Sequence, residues 1–146
     1  MPMASKQVQG NQGEVEVAKE AADAFGRALT NGEIDTFLTF LAAEVDFEVP
    51  SATQDAVMRL NGHDEVRRYL MQTAGEYEEL HLESNEIREC GGGRYLMLGS
   101  WQATLRKTQT RFGTPMGLVF DIRDGEVTLL RAFFDEQLAI DAASRD

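Results

Sequence analysis

Histidine exchanges protons near neutral pH more readily than other unperturbed side chains, and the chain carries two, His63 and His81. Only His81 falls in a predicted strand, where a pocket-facing imidazole would be a candidate general acid or base. Its surroundings favour instead an exposed position on an edge strand, since Glu78, Glu79 and Glu83 are close by in sequence. His63 falls at the start of a predicted helix, near the expected mouth of the pocket, with a capping or solvent-facing role.

The alternation of apolar residues does not decide which way His81 points. Leu80 and Leu82 predict that His81 points outward, whereas Ile87 predicts that it points inward. A β-bulge between these residues would reconcile the two patterns, because an extra residue in one strand reverses the alternation that follows it.

Two further polar residues, Ser100 and Gln102, alternate along a later predicted strand. On a pocket wall they would orient a ligand carbonyl or hydroxyl group. Inside an apolar core they would instead form a hydrogen-bonded pair. An enzyme built on these residues would use His81 and Gln102 together.

Composition excludes several classes of function. The formal charge is −11, from 25 acidic and 14 basic residues, which disfavours nucleic acid as a partner. A single cysteine, Cys90, and two distant histidines predict neither a disulfide nor a metal site, and we expect no cofactor. No apolar run reaches the length of about 20 residues that a membrane-spanning helix needs, and no apolar signal core is present, so we expect a cytoplasmic protein without membrane contact.

The apolar periodicity predicts helices first and a run of strands second, which is typical of an α+β domain. Residues 1–13 are predicted to be a disordered N-terminal tail, and residues 14–146 to be one domain. The predicted helices cover 14–31, a short segment from Ile34 to Leu41, 63–74 and 136–143. The predicted strands cover 45–49, 79–90, 94–107, 110–123 and 126–135, with a loop at 51–61.

Three segments, in this order, resemble the nuclear transport factor 2-like superfamily, and within it the SnoaL-like polyketide cyclases, ketosteroid isomerases and limonene epoxide hydrolases. They are GEIDTFLTFLAAEVDFEVP (32–50), NGHDEVRRYL (61–70) and FDIRDGEVTLLRAFFDEQLAIDAA (120–143). The resemblance implies a cone-shaped, curved antiparallel or mixed sheet, packed on three N-terminal helices around an apolar pocket. With strand alternation it implies a ligand-binding wall made of Phe25, Val49, Ser100, Gln102, Leu118, Phe120, Ala132 and Phe134.

The same resemblance places apolar residues where the related enzymes keep their catalytic groups. A ketosteroid isomerase needs a carboxylate base, a tyrosine and a protonated aspartic acid, and these positions fall at Val49, Phe25 and Leu118. The catalytic acid of the SnoaL-like cyclases falls at Ala132. The limonene epoxide hydrolase triad falls at Ser100, Gln102 and Ala132.

Near the C-terminal end of the chain, Asp135 matches a usual acid of the superfamily, and we expect it to bind backbone amides at the start of the last helix. The outer face of the sheet is predicted to be apolar enough to form a homodimer interface. Arg131 on this face is expected to pair with Asp121 or Glu126, or with a residue across the dimer. The interface residues are predicted to be Trp101, Val119, Leu129, Arg131 and Phe133.

Three functions remain open on the sequence alone. The first, which the sequence favours, is a small-molecule-binding SnoaL-like protein that holds an apolar ligand of terpenoid, steroid or polyketide size. The second is a divergent isomerase, cyclase or hydrolase. The third is a noncatalytic dimerisation domain whose cavity is filled by its own side chains.

Overall fold

The computed structural model describes the backbone of residues 2–50 and 57–145, and the side chains of residues 13–49 and 57–145. The helices are α1 (Pro2–Asn31), α2 (Ile34–Leu38), α3 (Gly62–Thr73) and α4 (Glu136–Ser144). The strands are β1 (Leu41–Pro50), β2 (Val57–Asn61), β3 (Tyr77–Gly91), β4 (Arg94–Leu105), β5 (Arg111–Arg123) and β6 (Glu126–Phe133).

Helix α1 presents a stripe of small residues to the sheet. Ala18, Ala21 and Ala28 are fully buried, and Phe25 is the large side chain among them. Alanine has the highest helix propensity and lets the helix approach the sheet closely. Gly32 ends the helix with a φ of +71°, a conformation that glycine adopts at little cost.

Helix α1 begins at Pro2 in the structure, twelve residues earlier than the sequence predicts. The side chains of residues 1–12 lie outside the described part of the chain. The division into an N-terminal tail and a domain that begins at residue 14 stays a prediction.

The six strands form one mixed sheet in the order β2-β1-β6-β5-β4-β3. Strands β1 and β6 are parallel, whereas every other neighbouring pair is antiparallel. The α+β fold class is therefore confirmed. The loop predicted at 51–61 is wrong over Val57–Asn61, which pairs with β1 as strand β2, and residues 51–56 lie outside the described residues.

Both faces of the central strands are buried, each by different helices. On the inner face, the side chains of Tyr95, Met97 and Phe120 belong to the core beneath α1, α2 and α3. On the outer face, Leu96, Leu98 and Val119 form a second core with helix α4. The sheet therefore has a helical layer on each side, although the sequence predicted helices on one side only.

The predicted bulge in β3 is confirmed. The pairing of β3 with β4 shifts register between Ser84 and Glu86. Leu80 and Leu82 before the shift, and Ile87 after it, all pack against the inner core. Opposite the bulge lies Gly99, where a Cβ atom would stand 1.9 Å from the carbonyl oxygen of Glu83. Only glycine therefore fits at this point of β4.

Candidate functional site

A cavity of about 600 Å³ lies between helices α1 and α3 and the inner face of the sheet. Helices α1 and α3 and all six strands contribute residues to its wall. The lining residues are Phe25, Leu29, Val49, Met58, Tyr69, Gln72, Thr73, Glu76, Tyr77, Leu80, Trp101, Ala103, Phe112, Thr114, Ala132 and Phe134. The wall is predominantly apolar, as is usual for small-molecule sites.

Aromatic rings form the deep wall of the cavity. The rings of Phe25 and Trp101 meet edge to face with their centroids 5.9 Å apart, and Phe25 stacks in the same way on Phe47 at 5.6 Å. Trp101 is 4% exposed, and its indole Nε1 is buried with no hydrogen-bond partner among the described residues. A buried donor without an acceptor is rare in native proteins and needs an explanation.

The polar part of the cavity lies where α3 ends and β3 begins. Burial, followed by the nearby charges of Tyr77 and Glu76, raises the pKa of Tyr69 to about 12. Burial, and then the charge of Glu76, also raise the pKa of Tyr77. Both phenols therefore stay protonated at neutral pH, beside a carboxylate.

Arg106 fixes the backbone of this polar segment. Its Nε donates to the carbonyl oxygen of Gly75 at 2.9 Å, and its second guanidinium nitrogen donates to the carbonyl of Tyr77 at 3.3 Å. The backbone amide of Arg106 donates to the carbonyl of Glu76 at 2.9 Å. Three hydrogen bonds from one residue thus hold the chain that carries Glu76 and Tyr77.

Six of the eight residues predicted to form the ligand-binding wall face the inner side of the sheet. Phe25, Val49, Ala132 and Phe134 line the cavity. Leu118 and Phe120 also point inward, but they are fully buried in the core and lie behind the cavity wall. Whether these side chains touch a ligand stays a prediction.

The predicted facing of strand β4 is wrong. Ser100 and Gln102, predicted to face the pocket, lie on the outer face, and Trp101, predicted to face outward, lines the cavity. The pairing of Trp101 with Leu82 on β3 and Thr114 on β5 fixes this orientation. The physical reason is that helix α4 covers the outer face of β4. Apolar residues are therefore buried on both faces of this strand, and their alternation does not identify the face that encloses the cavity.

The expected exposure of His81 is confirmed by the structure. Its side chain is 73% exposed, with Nε2 4.0 Å from Oε1 of Glu83, and it lies opposite Gln102 on the outer face. The structure thus brings the two candidate catalytic residues, His81 and Gln102, next to each other but on the side of the sheet away from the cavity.

His63 begins α3, as predicted, but it does not lie at the cavity mouth. Its Nε2 is 2.9 Å from the carbonyl oxygen of Leu41, whereas α3 lines the cavity with Tyr69, Gln72 and Thr73 from its other half. The imidazole therefore joins the start of α3 to the start of β1.

The charged residues near the C-terminal end of the sheet have structural partners. Asp135 caps α4, and its Oδ1 accepts from the amide of Leu138 at 2.9 Å, as predicted. The predicted pairing of Arg131 with Asp121 or Glu126 is wrong, since its Nε lies 3.4 Å from Oε2 of Glu48, and a contact across a dimer stays a prediction. The guanidinium of Arg94 donates two hydrogen bonds, of 2.7 and 2.9 Å, to the carboxylate of Asp121.

The predicted dimer surface is largely covered by the chain itself. Val119 is fully buried beneath α4, and Trp101 is on the other side of the sheet. Leu129, Arg131 and Phe133 do lie on the outer face, where each is half-buried.

Sequence reasoning missed the polar end of the cavity. This end is formed by Tyr69, Glu76 and Tyr77, none of which the sequence patterns mark as a site residue. The available signal was Gly75, which ends α3 and therefore brings the residues on either side of it to one edge of the same cavity.

Among the described residues, no group of three histidine, cysteine, aspartate or glutamate side chains is arranged to hold a metal ion. No described helix is long and apolar enough to cross a membrane.

Comparison with known proteins matches residues 22–130 to the SnoaL-like domain model. A structure of an NTF2-like protein of unknown function from Burkholderia pseudomallei has 21% identity and a TM-score of 0.70, over 91% of this chain and 98% of that one. A candidate polyketide cyclase from Xanthomonas campestris has 22% identity and a TM-score of 0.68, over 91% and 98%. Both likenesses establish the fold. No curated protein matches the sequence significantly.

Proposed function

Because the chain belongs to the SnoaL-like domain family, we propose that its cavity binds an apolar small molecule of terpenoid, steroid or polyketide size. The observation that carries the proposal is an aromatic cavity of about 600 Å³ whose wall includes Trp101, the indole N–H of which has no hydrogen-bond partner within the described residues. Ligand pockets usually have such a composition, with a few polar groups that set orientation.

The unpartnered N–H supports a ligand that carries an acceptor. Leaving a buried donor unsatisfied costs about 1–3 kcal/mol. A carbonyl or hydroxyl oxygen of a ligand that accepts from this N–H would recover this free energy. The proposed function is therefore binding of an apolar molecule, and an oxygen acceptor on that molecule would add to its affinity.

The alternatives of the sequence analysis receive less support. A divergent enzyme that used His81 and Gln102 would need both side chains in the cavity, and both lie on the other face of the sheet. A noncatalytic dimerisation domain would have a cavity filled by its own side chains, whereas this cavity is open. Val49 and Ala132, at the positions of the related catalytic acids and bases, line it as apolar groups.

The proposal includes a homodimer through the outer face of the sheet, with fewer interface residues than the sequence predicts. Its available residues are Leu129, Arg131 and Phe133, next to helix α4. Light scattering on the purified chain tests it, and a monomer at micromolar concentration would contradict it. The cytoplasmic location stays a prediction.

The chain contains one tryptophan, so its fluorescence reports directly on the cavity. We expect 2-adamantanone, a terpenoid-sized ketone, to change this fluorescence saturably and to release heat in calorimetry. Ala103→Leu places a larger side chain in the cavity and should weaken binding by about tenfold or more. Gln102→Ala, one residue away on the opposite face, is the matched control and should bind as the native protein does.

The proposal fails if the native protein gives neither a fluorescence change nor binding heat with the ketone. It fails equally if Ala103→Leu and Gln102→Ala weaken binding to the same extent, because binding would then not depend on the cavity.

A further inference from the structure

The formal charge on the described wall of the cavity is negative only. Among the described residues that line it, Glu76 is the only one with a formal charge at neutral pH, and none is a lysine, arginine or histidine. An anionic ligand would therefore lose its hydration without gaining a positive partner from this wall. Desolvating a charge without a partner is costly.

Aromatic rings add to the same preference. The faces of aromatic rings carry negative electrostatic potential and attract cations within about 6 Å of the ring centroid. Six of the sixteen lining residues are aromatic, namely Phe25, Tyr69, Tyr77, Trp101, Phe112 and Phe134. Rings from α1, α3, β3, β4 and β5 thus converge on one cavity, with one further ring just after β6.

Glu76 lies close to two of these rings. Its charge contributes to the raised pKa of both Tyr69 and Tyr77, after burial as the main cause. The carboxylate and the two phenol rings all line the cavity, where α3 ends and β3 begins, and the rings remain neutral. A carboxylate beside aromatic faces provides both electrostatic interactions that an ammonium group uses.

The nearby arginine does not cancel this charge within the site. Arg106 does not line the cavity, and its guanidinium donates to the carbonyl oxygens of Gly75 and Tyr77. Within the described part of the chain, no cationic side chain lies within 4.0 Å of the Glu76 carboxylate as an ion pair. The carboxylate thus remains available to a ligand.

We propose that the cavity prefers a positively charged apolar ligand, an amine with a hydrocarbon body of terpenoid size, over neutral and anionic molecules of the same shape. The ammonium group lies beside Glu76, Tyr69 and Tyr77, and the hydrocarbon body lies against Phe25 and Val49. This inference rests on the proposed function, because it names the ligand class of the same cavity.

Three adamantane derivatives of nearly equal shape test the preference. They are 1-adamantanamine, which is a cation at neutral pH, the neutral 1-adamantanol and the anion 1-adamantanecarboxylate. Calorimetry at constant ionic strength should give a dissociation constant about tenfold lower for the amine than for the alcohol. The carboxylate should bind more weakly than the alcohol.

The variant Glu76→Gln isolates the carboxylate. It should weaken binding of the amine about fivefold to tenfold and weaken binding of the alcohol much less. Glu83→Gln removes the same charge from the outer face of the sheet, opposite Ser100, and should change neither constant. Circular dichroism of both variants checks that they are folded.

The outcomes separate the two proposals. If the alcohol binds and the amine does not bind more tightly, the charge preference is wrong and the binding function stands. Equal weakening of the amine by Glu76→Gln and Glu83→Gln would also overturn the preference, since only the total charge would matter. If none of the three compounds binds, both proposals fall.

Discussion

The hydroxyl of Tyr95 donates a hydrogen bond to Oε1 of Glu14 across 2.5 Å. Tyr95 is a fully buried residue of β4, and Glu14 lies 81 residues earlier, on α1. The contact therefore closes a long stretch of chain and joins the first helix to the inner face of the sheet. Its acceptor is a carboxylate, and hydrogen bonds to carboxylates are stronger than those between neutral groups.

Replacing Tyr95 with phenylalanine should lower the free energy of unfolding by about 1–2 kcal/mol, because a half-buried carboxylate loses its donor. Urea denaturation followed by circular dichroism measures the change. Tyr77→Phe is the matched control, since the Tyr77 hydroxyl has no hydrogen-bond partner within the described residues. Equal losses in the two variants would show that the ring substitution, and not the bond to Glu14, sets the effect.

All three tyrosines of the chain have raised pKa values, and this predicts the response to alkaline pH. Burial raises the pKa of Tyr69 from 10.0 to about 12, and burial also raises the pKa values of Tyr77 and Tyr95. The folded state then holds protons that the unfolded state has lost, so stability is complete below pH 10 and falls between pH 10 and pH 12.

Ultraviolet absorbance of tyrosinate measures this response directly. At pH 10 the folded protein should show less tyrosinate than the protein in concentrated urea, which should be about half ionised, as expected for unperturbed tyrosine. A folded protein with one ionised tyrosine per molecule at that pH would contradict the burial of these hydroxyls.

Substitution of Gly117 should displace helix α4. An added Cβ at this position of β5 would lie 2.2 Å from the Cβ of Ala139. Gly117→Ala should therefore reduce the free energy of unfolding by about 1–3 kcal/mol, the usual cost of overpacking. The double variant with Ala139→Gly should recover part of this loss, although glycine in a helix itself costs about 1 kcal/mol.

A second glycine provides the control for this experiment. Gly26 lies in α1, and an added Cβ there meets no atom within 4 Å. Gly26→Ala should leave stability unchanged or raise it by up to about 1 kcal/mol, through the better helix propensity of alanine. If both glycine variants are destabilised equally, close approach of α4 is not the cause at Gly117.

Loss of the Asp135 side chain should loosen the start of α4. Asp135→Ala removes the acceptor of the Leu138 amide and should cost about 1 kcal/mol of stability, as other N-cap substitutions do. Asp135→Asn keeps an oxygen acceptor and should cost less. Ligand binding in the cavity should be the same in both variants, because α4 packs on the opposite face of the sheet. A selective loss of binding in Asp135→Asn would indicate a role beyond capping.

Strand β1 was assigned correctly because it has one clearly apolar alternation, and the end of β6 because Arg131 interrupts the apolar residues on its outer face. Val49 and Ala132 therefore face the cavity in the structure as expected. Strand β4 was assigned wrongly, because Leu96 and Leu98 on one face are as apolar as Tyr95 and Met97 on the other. Alternation shows which residues share a face, but it cannot say which of two buried faces encloses the cavity.

The polar end of the cavity could not be derived from spacing alone. Tyr69 and Tyr77 come from different elements, and only the turn of the chain at Gly75 and the hydrogen bonds of Arg106 bring them together. The bulge in β3 was predictable, since the apolar residues before and after it differ in parity. The covering of the outer face by α4 was not predictable, because the sequence shows that α4 has apolar residues but does not show where the helix packs.

Residues 95–99 of β4 are all buried, because the strand is covered on both sides. No position in this stretch should therefore tolerate a polar substitution. A polar replacement there would be desolvated whichever way it pointed. Saturation mutagenesis should find the stretch nearly closed to charged side chains, in contrast to its immediate continuation, where Gln102 is exposed. Diversification of the pocket by evolution or design would thus begin at the helices and β3, with β4 kept constant.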